Sequence, residues 1–187
     1  SDLRTILTAA DATVMVMDPA TQQRTTLSIE QFLDYQLGDD IVVALFVPLV
    51  GPSPVFSGQA STQTLFNTYK VATRCENAHA IVNAGFRVVV DATTGNVVTA
   101  SMTYGGVADA ALFHPLQTEA YLQGRSITDS ATIRAALPIL QAELQAAPSP
   151  PDDGTASQAY RVSLSMSMFY KFALATQPAS SLPSDLL

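Results

Sequence analysis

The stretch that decides the reading of this chain is Tyr69-Lys70-Val71-Ala72-Thr73-Arg74-Cys75-Glu76-Asn77-Ala78-His79-Ala80-Ile81-Val82-Asn83-Ala84-Gly85-Phe86-Arg87-Val88. It sets two cations, a lone thiol, an acid and an amide ahead of an apolar run. Charged residues make up only 13% of the 187, so Lys70, Arg74 and Glu76 within seven positions stand out. Lys70 and Arg74 lie four apart where a strand becomes a loop, which suits a cationic site beside an anionic or electron-accepting ligand. A unit charge about 4 Å from its partner is worth roughly 4 kcal/mol at an effective dielectric near 20. The plainer alternative is two solvated cations flanking Glu76.

Outward from that stretch the chain divides into strands followed by helices, an α+β pattern rather than alternating βαβ. Residues 12–17 predict a short strand, 18–21 a turn and 24–29 the returning strand of a hairpin. Ser28, with Gln31 three positions on, predicts a capped helical turn over 29–35. The β-branched run 41–47, ended by Pro48, predicts a buried strand. Glycines, prolines and serines between 49 and 63 predict a surface loop and the boundary between two lobes. A strand over 65–71 leads into the polar cluster, and 80–91 with 97–104 predicts an antiparallel pair joined by Thr93-Thr94-Gly95-Asn96. Pro115 opens a helix that Gly124 stops. Asp129 or Ser130 caps a second, with Ile133, Leu137, Leu140 and Leu144 on one face and a kink or break expected at Pro138. Residues 147–156 predict a loop, 157–175 an amphipathic helix, and 177–187 a frayed tail.

Composition narrows the function. A chain of this length buries about 70% of its surface, and 48% hydrophobic residues with mean hydropathy +0.22 fit a compact core. Nine Lys and Arg against a net charge of −7 cannot form a basic stripe for nucleic acid. The longest apolar run, 41–50, contains Pro48 and falls short of the roughly 18 residues of a membrane span. A lone cysteine, Cys75, excludes an internal disulfide and fits a reducing compartment, so a cytoplasmic location is expected. Two histidines and one cysteine cannot build a structural zinc site or a Cys-ligated iron–sulfur cluster. His79 and His114 lack nearby ligand partners and read as packing or surface residues. Cys75, beside Arg74, reads as an inert thiol for want of a resolving partner. Tyr104-Gly105-Gly106 ends a strand where the backbone can turn tightly or approach a ligand, and no Gly-x-Gly-x-x-Gly or P-loop pattern occurs. Asp39-Asp40 reads as a solvated loop, and Met166 and Met168 as core. No nucleophile–base–acid constellation is present, so bond-making chemistry is not expected of this segment.

The cluster at 69–88, Tyr104-Gly105-Gly106-Val107-Ala108, and Tyr160-Arg161-Val162-Ser163-Leu164 leading to Phe169-Tyr170-Lys171-Phe172 occur in that order after Ser1-Asp2-Leu3. Together they resemble the flavin domain of the xanthine dehydrogenase and aldehyde oxidase family, from Ser1 to about Ala175. The start, without Met or a signal layout, reads as the middle of a longer chain. The resemblance implies an α+β fold. Residues 1–55 would close an FAD-binding lobe of mixed or antiparallel strands. Residues 56–176 would form a separate lobe of antiparallel sheet packed with helices.

It also implies an FAD cofactor, with Asp2 as a carboxylate toward the flavin or ribityl group, Val42 packing against the flavin and Lys70 beside it. By the same resemblance, electrons pass from iron–sulfur clusters through FAD to NAD or oxygen, while purine hydroxylation occurs at a molybdopterin centre elsewhere. The partners implied are the preceding segment with its FAD loops, the iron–sulfur and molybdenum domains, and a homodimer of the parent enzyme. The isolated segment would be inactive. Cys75-Glu76-Asn77-Ala78 stands where the xanthine enzymes carry Arg-Glu-Asp-Asp. Glu76-Asn77-Ala78 continuing into Ala80-Ile81-Val82-Asn83 looks more like aldehyde oxidases, while Lys70 points back to the xanthine enzymes. An aldehyde oxidase domain, or a flavin-free interaction module descended from the fold, are the alternatives.

Overall fold

A computed structural model describes residues 2–48, 62–109, 112–150 and 154–177. Most of the expected loop 49–63 and of the tail 177–187 lies outside them. Among the described residues, two three-stranded antiparallel sheets and five helices bear out the α+β reading.

The first sheet, ordered β2-β1-β3, comprises β1 (Thr13–Met17), β2 (Arg24–Ser28) and β3 (Ile41–Phe46). Between β2 and β3, helix α2 (Ile29–Asp34) starts with the expected capping box: Gln31 N–H donates to Ser28 Oγ at 3.1 Å, and Ser28 N–H to Gln31 Oε1 at 2.9 Å. Val14 and Val16 alternate inward with Ile29 and Ala12 into a small core. β3 departs from expectation. Its apolar run lies at the sheet edge rather than inside, and Ile41, Val42, Val43, Leu45 and Phe46 are each 42–50% exposed. The reason is architectural: β3 pairs with β1 on one side, and no described strand pairs with the other.

The second sheet, ordered β4-β5-β6, carries the main core. β4 (Thr62–Ala72), β5 (Ala80–Asp91) and β6 (Val97–Gly105) are long, and β4 begins three residues before the expected start. The expected turn between β5 and β6 forms, with Asp91 Oδ1 accepting from the N–H groups of Thr93 and Thr94, and Gly95 at φ +72°. Central β5 presents Phe86, fully buried, to Tyr69, Tyr104, Phe169 and Phe172, with ring centroids 5.2–6.3 Å apart. Such a side chain contributes several kcal/mol, since a buried Phe→Ala change costs about 3–5 kcal/mol. Helices α3 (Leu116–Leu122) and α5 (Gln158–Ala175) pack on this sheet, and α4 (Ser130–Ala146) packs on both of them. Asp129 caps α4 as expected, accepting from Ala131 and Thr132 N–H. Of the kink or break expected at Pro138 the break does not occur: helix α4 runs on through it, with Ile133, Ala136, Leu140 and Leu144 buried on either side.

One helix had no signal in the sequence reading. α1 (Asp2–Ala9) precedes the first sheet in the chain yet packs chiefly on β5 and β6 of the second. Two glycines make the approach possible. A Cβ on Gly85 would stand 2.4 Å from Ala9 Cβ, and one on Gly105 would stand 2.9 Å from Thr5 Oγ1. At α5, Arg161 is 5% exposed and donates to the carbonyls of Ile81 (2.5 Å) and Gly106 (3.1 Å), tying the ends of β5 and β6 to the helix.

Candidate functional site

Two registers set the site. Lys70 on β4 pairs with Asn83 on β5, and Asn83 pairs with Gly105 on β6, so the three form a row across the sheet. The first turn of α1 lies over that row. Lys70 Nζ donates to Asp2 Oδ2 at 2.6 Å and to the carbonyl of Ala78 at 2.8 Å. Asn83 Nδ2 donates to Asp2 Oδ1 at 2.6 Å, while Asn83 Oδ1 accepts from Thr5 Oγ1 at 2.8 Å. Each oxygen of the Asp2 carboxylate therefore has its own donor. Burial acts to raise the Asp2 carboxyl, but the hydrogen bonds from Lys70 and Asn83 and the Lys70 charge together hold it below its ordinary value.

Magnitudes separate these partners. The side chains of Lys70 and Asp2 are 41% and 38% exposed, and such an ion pair is worth about 0–1 kcal/mol. Asn83 is 6% exposed, and a hydrogen bond to a charged group contributes about 1.5–3 kcal/mol. Asn83 is thus the firmer anchor of the carboxylate, and Lys70 is the more readily redirected.

The hydrogen bonds of Arg74 go to its own loop. Its guanidinium donates to the carbonyls of Glu76 (3.0 Å) and Asn77 (2.5 Å), closing the loop between β4 and β5 on itself, with Asn77 at φ 48°. Lys70 and Arg74 nevertheless border one open cavity of about 530 Å³ with Val71, Ala72 and Cys75. Cys75 is free and exposed on the same loop. His114 pairs through Nε2 with Glu30 at 3.1 Å, linking the segment before α3 to α2.

Three cavities surround the first turn of α1. One of about 210 Å³ is bounded by Asp2, Arg4, His79, Asn83, Gly105 and Gly106. A second of about 170 Å³ lies between Asp2, Thr5, Ile6, Tyr69 and Lys70. The third, about 400 Å³ and apolar, runs along Leu3, Leu7, Phe32, Leu33, Val42 and Leu45. The structure thus brings Asp2 and Lys70 into direct contact and sets Val42 in a separate groove around the same helical turn. Arg4 borders both the first cavity and the groove. Sequence reasoning missed Asn83 and Thr5, and marked Gly105 only as a point of close backbone approach. A lone amide in the otherwise apolar run 80–86 was the available signal.

A dinucleotide cofactor is long, with charged, polar and apolar parts. Ligand pockets typically hold about 300–1,000 Å³, so these cavities suit portions of such a molecule rather than the whole. An ammonium, an anchored carboxylate and an apolar groove offer a cation, an acceptor and apolar surface, which is chemistry compatible with a flavin cofactor. Among the described residues no group of His, Cys, Asp and Glu could hold a metal ion, and no helix is long and apolar enough to cross a membrane.

An antiparallel sheet backed by helices, with a polar cleft where α1 lies across it, is the frame in which these residues meet. Residues 67–176 match the CO dehydrogenase flavoprotein C-terminal domain, and the chain belongs to that family. Indole-3-acetaldehyde oxidase of Arabidopsis thaliana is 30% identical over 177 residues, covering 92% of this chain and 12% of that protein. Aldehyde oxidase 4 of Rattus norvegicus is 30% identical over 178 residues (93% and 12%). Xanthine dehydrogenase of Oryza sativa is 28% identical over 180 residues (93% and 12%). The chain therefore spans about an eighth of the length of these relatives. Among solved structures, quinoline 2-oxidoreductase from Pseudomonas putida 86 superposes with TM-score 0.68 at 18% identity, over 94% of this chain and 55% of that one. Carbon monoxide dehydrogenase from Hydrogenophaga pseudoflava superposes equally well, TM-score 0.68 at 18% identity over 94% and 56%. At such identities these two bear on the fold alone.

Proposed function

We propose that this chain is part of the FAD domain of a xanthine dehydrogenase- or aldehyde oxidase-type molybdenum hydroxylase. The observation that carries this reading is the convergence of Asp2 and Lys70, far apart in sequence, on one cleft beside the groove containing Val42. FAD, when bound, would take electrons from iron–sulfur clusters of the same enzyme and hand them to NAD or oxygen. Lys70 holds a positive charge at the cleft, where it favours an electron-rich ring. Asp2 offers a carboxylate fixed in place, and Val42 supplies apolar surface. The remaining walls of the cofactor site, the iron–sulfur clusters and molybdopterin belong to other parts of a cytoplasmic, homodimeric parent.

Of the possible substrates, aldehydes have the better support over purines. Aldehyde oxidases are prominent among the relatives, and Glu76-Asn77-Ala78 resembles aldehyde oxidases more than xanthine enzymes, although Lys70 resembles the latter.

The test is Lys70→Ala in the full-length enzyme. It should lower flavin retention or slow acceptor reduction about tenfold or more, as loss of a charged contact of roughly 1.4 kcal/mol would. Substrate-dependent reduction at the molybdenum centre should be unchanged. Parental flavin content together with parental acceptor kinetics would refute the assignment.

A further inference from the structure

Asp2 and Lys70 neutralise each other in this arrangement, so something must hold the carboxylate when the ammonium turns toward a ligand. Asn83 is built for that task. It is 6% exposed, sits in register between Lys70 and Gly105, and uses both ends of its carboxamide. Nδ2 grips Asp2 Oδ1 at 2.6 Å, and Oδ1 is itself fixed by Thr5 Oγ1 at 2.8 Å. Thr5 is 1% exposed, so the chain from helix to strand amide to carboxylate is anchored in the interior.

Gly105 completes the device. A Cβ there would fall 2.2 Å from Asn83 Oδ1, so only glycine leaves the carboxamide room to lie flat between β6 and α1. The roles of Asn83 and Gly105 are therefore coupled. Lys70 needs no such support, because its second acceptor, the Ala78 carbonyl, lies on the neighbouring loop.

We infer that Asn83, oriented by Thr5 and given room by Gly105, is a positioning residue of the flavin site: it holds the Asp2 carboxylate in place so that the Lys70 ammonium is free to serve the cofactor. This rests on the proposed flavin reading and deepens it. Without the amide donor, the Asp2 carboxylate has Lys70 as its remaining partner and keeps the ammonium for itself. A flavin then meets less positive charge, binds more weakly, and has its reduced, more anionic form less stabilised.

Asn83→Asp is the sharpest probe. It keeps the shape and the acceptor for Thr5, removes the donor and places a second carboxylate against Asp2. Asn83→Ala removes the amide without new charge, so the pair remains informative if one variant fails to fold. Both are made in the full-length enzyme, with folding checked by thermal unfolding. Flavin affinity is read by fluorescence titration of deflavinated protein with FAD, and the midpoint potential of the bound flavin by spectroelectrochemistry.

Affinity is expected to fall about tenfold or more on loss of a charge-assisted hydrogen bond, with the potential moving negative, further for Asn83→Asp than for Asn83→Ala. A purely structural role would lower thermal stability and leave the potential of the retained flavin where it was. That result would overturn the inference. So would parental affinity and potential in both variants. Lys70→Ala and Asp2→Asn, measured alongside, separate the two levels. If they weaken flavin binding while the Asn83 variants do not, the positioning role fails alone. If none of the four has an effect, the flavin reading fails with it.

Discussion

Gly85→Ala tests the packing on which the site depends. The new methyl would lie 2.4 Å from Ala9 Cβ and 3.3 Å from the Thr5 carbonyl. Carbon–carbon contacts relax at about 3.5–4.0 Å, so α1 must lift by more than about 1 Å or the sheet must give. Ala9 is fully buried and at the end of its helix, so it cannot swing away. Overpacking of this kind costs about 1–3 kcal/mol. The lift also acts on Asp2, whose hydrogen bonds to Lys70 and Asn83, both 2.6 Å, do not survive a displacement of that size.

Urea unfolding of the variant should therefore show a loss of 1–3 kcal/mol as an approximate range, and FAD affinity should drop as well. The second change that decides the matter is Ala9→Gly, which removes the opposing methyl. By itself it should cost about 0.5–1 kcal/mol for glycine in a helix, with any cavity added. In the double variant most of the Gly85→Ala penalty should vanish, giving a coupling energy of about 1 kcal/mol or more. Additive losses, or a Gly85→Ala variant within 0.5 kcal/mol of parent as an approximate limit, would show that α1 is not seated by this contact.

Two smaller changes probe other features. Burial raises the carboxyl of Glu119, outweighing the lowering by the Met102 N–H that it accepts at 2.6 Å and by His114. A carboxyl raised on folding costs stability once ionised, so its penalty is present above the folded value and is relieved as pH falls below the ordinary value of 4.5. Glu119→Gln keeps the acceptor and removes the charge, and should be neutral or stabilising by up to about 1 kcal/mol at pH 7, the difference closing by pH 4. A greater loss at pH 7 than at pH 4 in urea titrations would contradict this. Cys75→Ser, at an exposed thiol on a loop braced by Arg74, should stay within about 0.5 kcal/mol in stability and retain parental acceptor kinetics. Slowed kinetics would assign the thiol a redox role.

Much of this fold is legible from local chemistry. Ser28 with Gln31, Asp129 before an apolar stripe, and Thr93-Thr94-Gly95-Asn96 between alternating runs each specify their element through hydrogen bonds that span a few residues. α1 was not legible, because an eight-residue helix is marginal in isolation and its stability comes from glycines 76 and more residues away in sequence. β3 misled for a related reason. A β-branched run announces a strand, but whether it ends up covered depends on its neighbours in the sheet. Of the site, Lys70 stood out by charge and Asp2 and Val42 by family resemblance. Asn83 did not, since its partners Asp2 and Thr5 come from a helix that the sequence did not announce. The hydrogen bonds of Arg74 to the Glu76 and Asn77 carbonyls were not legible either, since they depend on how its loop folds back.

The placement of Val42 constrains what kind of ligand can satisfy all three expected residues. Asp2 faces cavities shared with Lys70 and Asn83, whereas the next residue, Leu3, lines the apolar groove with Val42. Successive residues of a helix point about 100° apart, so these two surfaces flank one turn rather than forming a single bowl. A compact ligand seated beside Lys70 would leave Val42 untouched, and one confined to the groove would meet, among the described residues lining it, apolar side chains and Arg4 at its border. Only an extended molecule with a polar part and a flat apolar part can reach both, which is the shape of a dinucleotide flavin and not of a simple anion. The two surfaces should then respond separately. Changes at Lys70, Asn83 or Asp2, which alter charge, should move both the affinity and the potential of the bound flavin, while those confined to the groove, which alter apolar surface alone, should lower affinity and move the potential less.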